Sequence, residues 1–135
     1  MNVVLVEDSM LIAAQILDRL AMRPSLRVVG HAVSEEDAVT LILERQPDAV
    51  LLDLSLRPGS GLNVIRRIRE RGSRAQILVL TNFTHPELRN ACMKAGVSHF
   101  YDKHTQADEC IDSLVQLGGS GAAPAGAAEG ADAPR

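Results

Sequence analysis

Five times along the chain a short, nearly all-apolar run gives way to a stretch in which apolar residues recur every three or four positions. The short runs read as buried strands and the longer period as helices packed against them. The first strand is Asn2 to Val6, closed by Glu7 and Asp8. From about Ser9 to Met22, helical spacing places Met10, Ala13, Ala14, Leu17, Leu20 and Ala21 on one face, and Pro24 closes the element. Leu26 to His31 mixes polar and apolar residues, which predicts a strand at a sheet edge. Ser34-Glu35-Glu36-Asp37 has the pattern of a capping box, so a second helix starts there, runs to about Arg45 and is broken by Pro47.

Asp48-Ala49-Val50-Leu51-Leu52-Asp53 is a buried strand that ends on a carboxylate. Turn-forming residues from Ser55 to Gly61 follow it, then a helix with Leu62, Ile65 and Ile68 inward and its arginines toward water. Gln76 to Leu80 ends on Thr81. Thr84-His85-Pro86-Glu87 predicts the next helix, capped by Thr84 and finished near Gly96. Val97 to Asp102 is the last strand, with Lys103 just past it, and Thr105-Gln106-Ala107-Asp108 opens the final helix.

Successive strand–helix units imply an α/β fold with a parallel sheet, right-handed crossovers and helices on both faces. The first, third and fourth strands are the most apolar and the second and fifth more polar. That places the last two at the edges of a flavodoxin-like, doubly wound five-stranded sheet of order 2-1-3-4-5. Residues 1–117 form this domain. Residues 118–135 contain Gly, Ala, Ser and Pro with few charges and no large apolar side chain, which predicts a flexible tail or linker.

With 135 residues there is room for one ordinary core, and 2% aromatic residues means that Leu, Ile, Val and Ala must build it. The formal charge of -3 carries no basic stripe, which argues against direct nucleic-acid binding. No apolar run is long enough to span a bilayer and no signal-peptide pattern opens the chain, so a cytoplasmic location is expected. Cys92 and Cys110 fall on apolar helical stripes and read as small core residues. His31, His85, His99 and His104 lack metal-ligand spacing and read as surface or loop residues.

Ligands of open α/β sheets bind beyond the carboxyl ends of the strands, where the strand order reverses. The topology brings Glu7, Asp8 and Asp53 to that point. Converging carboxylates repel, so such a site must hold a proton or a cation, and oxygen-only ligands favour Mg2+. A backbone carbonyl near Ser55 is a further candidate ligand. Lys103 adds an ammonium and Thr81 a hydroxyl at the same sheet edge, completing a receptor for a phosphoryl group that Asp53 is placed to accept as a carboxylate nucleophile.

Glu7-Asp8, Asp53 followed by Leu56 and Gly61, Thr81 and Lys103, at the ends of successive strands, resemble the receiver domain of two-component response regulators. Receivers are a standard instance of this strand order, so the topology and the resemblance are not independent. The resemblance covers residues 2 to about 117. It implies that a sensor histidine kinase or histidine phosphotransfer protein donates the phosphoryl group, that Asp53 accepts it with Mg2+, and that Thr81 and Lys103 contact it. It further implies that Phe100 changes rotamer as a switch, and that the fourth helix, fifth strand and fifth helix present the surface read by a downstream protein. A stand-alone receiver of the single-domain type is expected, a monomer or weak homodimer acting as a phosphoacceptor that assists its own phosphorylation and dephosphorylation, not as a conventional enzyme.

The chain departs from the family pattern at several positions. His104 follows the lysine where proline is usual, Arg57 precedes Pro58 where the loop proline usually stands, and Asn82 replaces a small residue. Asn82 narrows access to the phosphoryl group, and Phe83 shields it from water, which predicts slow self-dephosphorylation. Three other readings compete: a receiver-like scaffolding module that does not use the chemistry, a small magnesium-dependent phosphatase with Asp53 as nucleophile, and a receiver cut from a longer regulator.

Overall fold

A computed structural model describes the backbone over residues 1–121 and side-chain environments over residues 1–118. The strands are β1 (Asn2–Val6), β2 (Arg27–Ala32), β3 (Ala49–Leu52), β4 (Gln76–Thr81) and β5 (His99–Asp102). The helices are α1 (Met10–Ala21), α2 (Glu35–Arg45), α3 (Gly61–Glu70), α4 (Pro86–Lys94) and α5 (Ala107–Gly121). All strand pairs are parallel, in the order β2-β1-β3-β4-β5. The two more polar strands lie at the edges because an edge strand can leave part of its surface wet, whereas every residue of β3 is buried.

The strand period of two divides the core into two layers. Val4, Val6, Val50, Leu52, Ile77 and Val79 pack on one side against α2, α3 and Cys92 of α4. Val3, Leu5, Ala49, Leu51, Leu78 and Leu80 pack on the other against α1 and α5. Cys92 and Cys110 are free and buried, one in each layer, and desolvation pushes both thiols up, Cys110 to about 12.

Serine side chains start three helices, each accepting from an amide three residues on: Ser9 from Ile12, Ser34 from Asp37 and Ser60 from Asn63. Other elements differ from the sequence expectation. The buried face of α1 is Ala13, Ile16 and Leu20, while Met10, Ala14 and Ala21 are exposed. The helix is apolar almost all round, so two stripes satisfy the same period and only packing chooses between them. The N-cap of α4 is His85, without a side-chain bond, and not Thr84; Pro86 at the first turn fixes the start instead. His31 is neither a surface nor a loop residue, being half-buried in β2, and His99 lies exposed in β5. Helix α5 continues past Leu117 to Gly121, so the start of the expected tail is helical, and residues 122–135 lie outside the described residues.

Candidate functional site

The sheet ladder runs on past the strand ends and fixes the backbone of the candidate residues. Val6 pairs with Leu52, so Glu7 and Asp53 come next, side by side. The Glu7 amide donates to the Ala32 carbonyl at 3.0 Å, the Asp53 amide to the Val6 carbonyl at 3.0 Å, and the Lys103 amide to the Thr81 carbonyl at 2.9 Å. Gly61 lets α3 begin directly against this ladder: a Cβ there would lie 2.4 Å from the Asp53 carbonyl oxygen.

Glu7 is 2% exposed and Asp53 6%. The Lys103 Nζ donates to Glu7 Oε1 and to Asp53 Oδ2, both at 2.7 Å, from a largely buried side chain. The remaining carboxylate oxygens accept backbone amides, Glu7 Oε2 from Ser9 at 3.1 Å and Asp53 Oδ1 from Ser55 at 3.2 Å. Asp8 completes the group, with ligand oxygens of Glu7, Asp8 and Asp53 lying within 4.8 Å of one another. The expected convergence of three acids and a lysine is therefore present.

Electrostatics follow from this crowding. Desolvation pushes the Glu7 carboxyl up, against the bonds from Lys103 and Ser9, and the neighbouring Asp53 charge adds to the rise. Burial alone would lower Lys103, but the bonds to Asp53 and Glu7 outweigh it and hold the ammonium above its usual range. Three carboxylates against one ammonium leave two negative charges, and all the acid donors are oxygens. The residues fit a hard divalent cation such as Mg2+, with Glu7, Asp8 and Asp53 as its holders.

Thr81 is fully buried, and its Oγ1 accepts the Phe83 amide at 3.2 Å. Phe83 is 44% exposed beside it, and Asn82 is exposed too. Phe100 pairs with Val79 and is buried in the core layer, with the Arg89 guanidinium 5.7 Å from its ring centroid. Ser55 is half-buried and bridges Ser60 across the loop. The cis peptide among the described residues is Arg57–Pro58, and Lys103–His104 is trans. An open cleft of about 500 Å³ reaches Asp8 of the acid trio and is lined by it together with Ser9, Met10, Val33 and Arg57.

Sequence spacing gave no sign of two further contributors. The His31 Nε2 donates to the Glu7 carbonyl at 2.9 Å, supporting the acid from the edge strand. Glu35 reaches the loop after Asp53: its carboxylate accepts the Ser60 amide at 3.0 Å, Asn63 Nδ2 at 3.3 Å and Arg67 Nη1 at 3.0 Å. Arg67 also pairs with Glu36. Arg69 bonds the carbonyls of Ser73 and Gly96, so neither of these two arginines merely faces water. Partial burial favours the neutral Glu35 acid, but the bonds from Ser60, Arg67 and Asn63 outweigh it and lower its pKa. A depressed acid stabilises the fold above its unfolded pKa, near 4.5, and that contribution is lost as pH falls through the folded value. Chemical denaturation should therefore show wild type more stable than Glu35→Gln at neutral pH, with the gap closing below pH 4.5.

Residues 3–115 match the family described as response regulator receiver domain. Among curated relatives, the transcriptional regulatory protein DesR of Bacillus subtilis is 25% identical over 113 residues, 84% of this chain and 56% of DesR. The DNA-binding transcriptional activator DevR/DosR of Mycobacterium tuberculosis is 29% identical over 117 residues, 87% of this chain and 54% of that protein. The chain thus spans about half the length of the curated relatives it matches. Among solved structures, a two-component response regulator of the LuxR family from Aurantimonas sp. SI85-9A1 superposes with a TM-score of 0.80 at 25% identity, covering 87% of this chain and 84% of that one. The response regulator domain of Thermotoga maritima CheB gives a TM-score of 0.80 at 18% identity, covering 88% and 96%, which shows the shared fold. No helix among the described residues is long and apolar enough to cross a membrane. With the acid trio and Lys103 gathered at the switch point of a β2-β1-β3-β4-β5 sheet and a family match across nearly all of the described chain, the protein belongs to the receiver domains of two-component response regulators.

Proposed function

We propose that this receiver is a phosphoacceptor, taking a phosphoryl group on Asp53 from a sensor histidine kinase or a histidine phosphotransfer protein in the cytoplasm. The observation that carries this reading is the Lys103 Nζ held 2.7 Å from both Glu7 and Asp53, beside a third carboxylate. Such a constellation is costly to the fold unless it serves a ligand, because like charges are crowded into a buried corner. It matches what phosphoryl transfer requires of a protein, which is positioning and charge neutralisation.

An Asp53 carboxylate oxygen attacks phosphorus, an O–P bond forms, and the P–N bond of the phosphohistidine breaks. Its electron pair returns to the imidazole, which takes up a proton. Lys103 and the Thr81 hydroxyl donate to the arriving phosphoryl oxygens; Thr81 Oγ1 already accepts from Phe83, so its own hydrogen is available. Glu7, Asp8, Asp53 and the Ser55 carbonyl would hold Mg2+, which when bound would supply further charge neutralisation. Phosphorylation then biases Phe100, and the surface of α4, β5 and α5 passes the change to a partner protein.

Intact-mass analysis after incubation with acetyl phosphate tests the reading: a phosphoryl adduct should form with Mg2+ and vanish with a chelator. A protein that stays unmodified under both conditions would count against it and favour the scaffolding alternative. Phe83, partly exposed beside Thr81, is placed to slow attack by water. Phe83→Glu should shorten the lifetime of the phosphorylated form about fivefold, ~1 kcal/mol of barrier, when decay is followed by mass. A second reading is that this receiver works as one part of a longer regulator, which the half-length coverage of its relatives favours. Immunodetection of the native product, by its size, separates the two.

A further inference from the structure

We infer that Glu35, on α2, is a positioning residue for the Asp53 site, acting through the loop between β3 and α3. The inference rests on the phosphoacceptor reading above.

The loop from Leu54 to Ser60 is held to the start of α2 from two directions. The Glu35 amide donates to the Pro58 carbonyl at 3.0 Å, and the Glu35 Oε1 takes the Ser60 amide at 3.0 Å. Gly59 lies between these contacts with φ at +107°, and a Cβ there would meet the Glu35 Cβ at 2.2 Å. The loop is thus pressed against Glu35 at a position only glycine fits. The same carboxylate is aimed by Asn63 and Arg67 from α3, so it has little freedom to leave Ser60.

From Ser60 the constraint reaches the chemistry in two short steps. Ser60 bridges Ser55 across the loop, and the Ser55 amide donates to Asp53 Oδ1 at 3.2 Å. Ser60 also caps α3 through its hydroxyl, so one residue ties the loop, α3 and α2 together. A carboxylate that must meet a cation and a phosphoryl group gains from having its orientation set in advance, and partners behind the ligands commonly supply that. Glu35 does so from 25 residues away in sequence.

The test compares Glu35→Ala, Glu35→Asp and Glu35→Gln by NMR, using MgCl2 as the probe and reading amide shifts. A second readout is hydrogen exchange at the Ser60 amide in metal-free protein. Aspartate keeps the charge at the start of α2 but is one methylene too short to hold Ser60; glutamine keeps the accepting oxygen without the charge. Glu35→Ala and Glu35→Asp should raise the Mg2+ midpoint about tenfold and speed exchange at Ser60, while Glu35→Gln stays within about twofold of wild type. If Glu35→Ala does not fold, the aspartate and glutamine variants decide. A Glu35→Asp variant matching wild type in both readouts overturns the inference. So does the reverse order, with aspartate normal and glutamine impaired, because it assigns the effect to charge at the helix start. A wild type with no Mg2+-dependent shifts is a distinct result: it overturns the phosphoacceptor reading, and this inference with it.

Discussion

Asp53→Asn should abolish the phosphoryl adduct while making the metal-free protein more stable. The adduct is lost because the amide is not a nucleophile, yet its shape and its oxygen still suit the Ser55 amide that Asp53 Oδ1 accepts. Stability should rise because one of three crowded carboxylates becomes neutral and Lys103 retains Glu7 as its partner. Neutralising Asp53 removes its repulsion with both Glu7 and Asp8, whose ligand oxygens lie within 4.8 Å of its own, and gives up one bond from Lys103, for a net gain of about 1 kcal/mol. Thermal melts in a chelator measure that gain, and adding Mg2+ should shrink it, because the cation stabilises wild type more than the variant. A variant that melts below wild type in chelator would show that Asp53 contributes more through Lys103 than it costs by repulsion.

Removing the ammonium should separate binding from chemistry. Lys103 is bonded to two of the three acids that would hold a cation, so it competes for them. Lys103→Met should therefore bind Mg2+ about tenfold more tightly, read by amide-shift titration. Phosphorylation by acetyl phosphate should nevertheless slow by about 100-fold, the usual loss when one charged donor to developing phosphoryl charge is removed. Metal-free stability should fall by roughly 3 kcal/mol, since Glu7 and Asp53 lose their shared partner while buried.

The sign of this last effect can be checked in wild type by pH. Lys103 is held above its ordinary range by Asp53 and Glu7 despite burial. Its contribution is fully present below the unfolded value, near 10.5, and is lost as pH rises through the folded one. Stability of wild type should thus fall toward that of Lys103→Met in strongly alkaline buffer.

The alternation of apolar runs and helical stripes contained most of the architecture. A strand buried on both faces must be apolar throughout, as β3 is, and strands with mixed character must lie where one side stays wet, as β2 and β5 do. That reasoning orders the sheet, and the order places Glu7, Asp8, Asp53, Thr81 and Lys103 along one edge. Turn and cap chemistry was legible for the same local reason, as at Ser34 and Asp37.

Tertiary packing decided what period and propensity leave degenerate. On α1 two apolar stripes satisfy helical spacing, and contact with β1 and α5 selects Ala13, Ile16 and Leu20. The bonds from Glu35 to Ser60 and Arg67, and from His31 to the Glu7 carbonyl, join residues 24 to 32 positions apart. Sequence by itself thus determined which residues are apolar, which carry charge and where the chain turns, because those are local properties. Only the folded chain determined which charged side chains meet, because a polar group finds its partner by distance in space, and helix packing sets that distance.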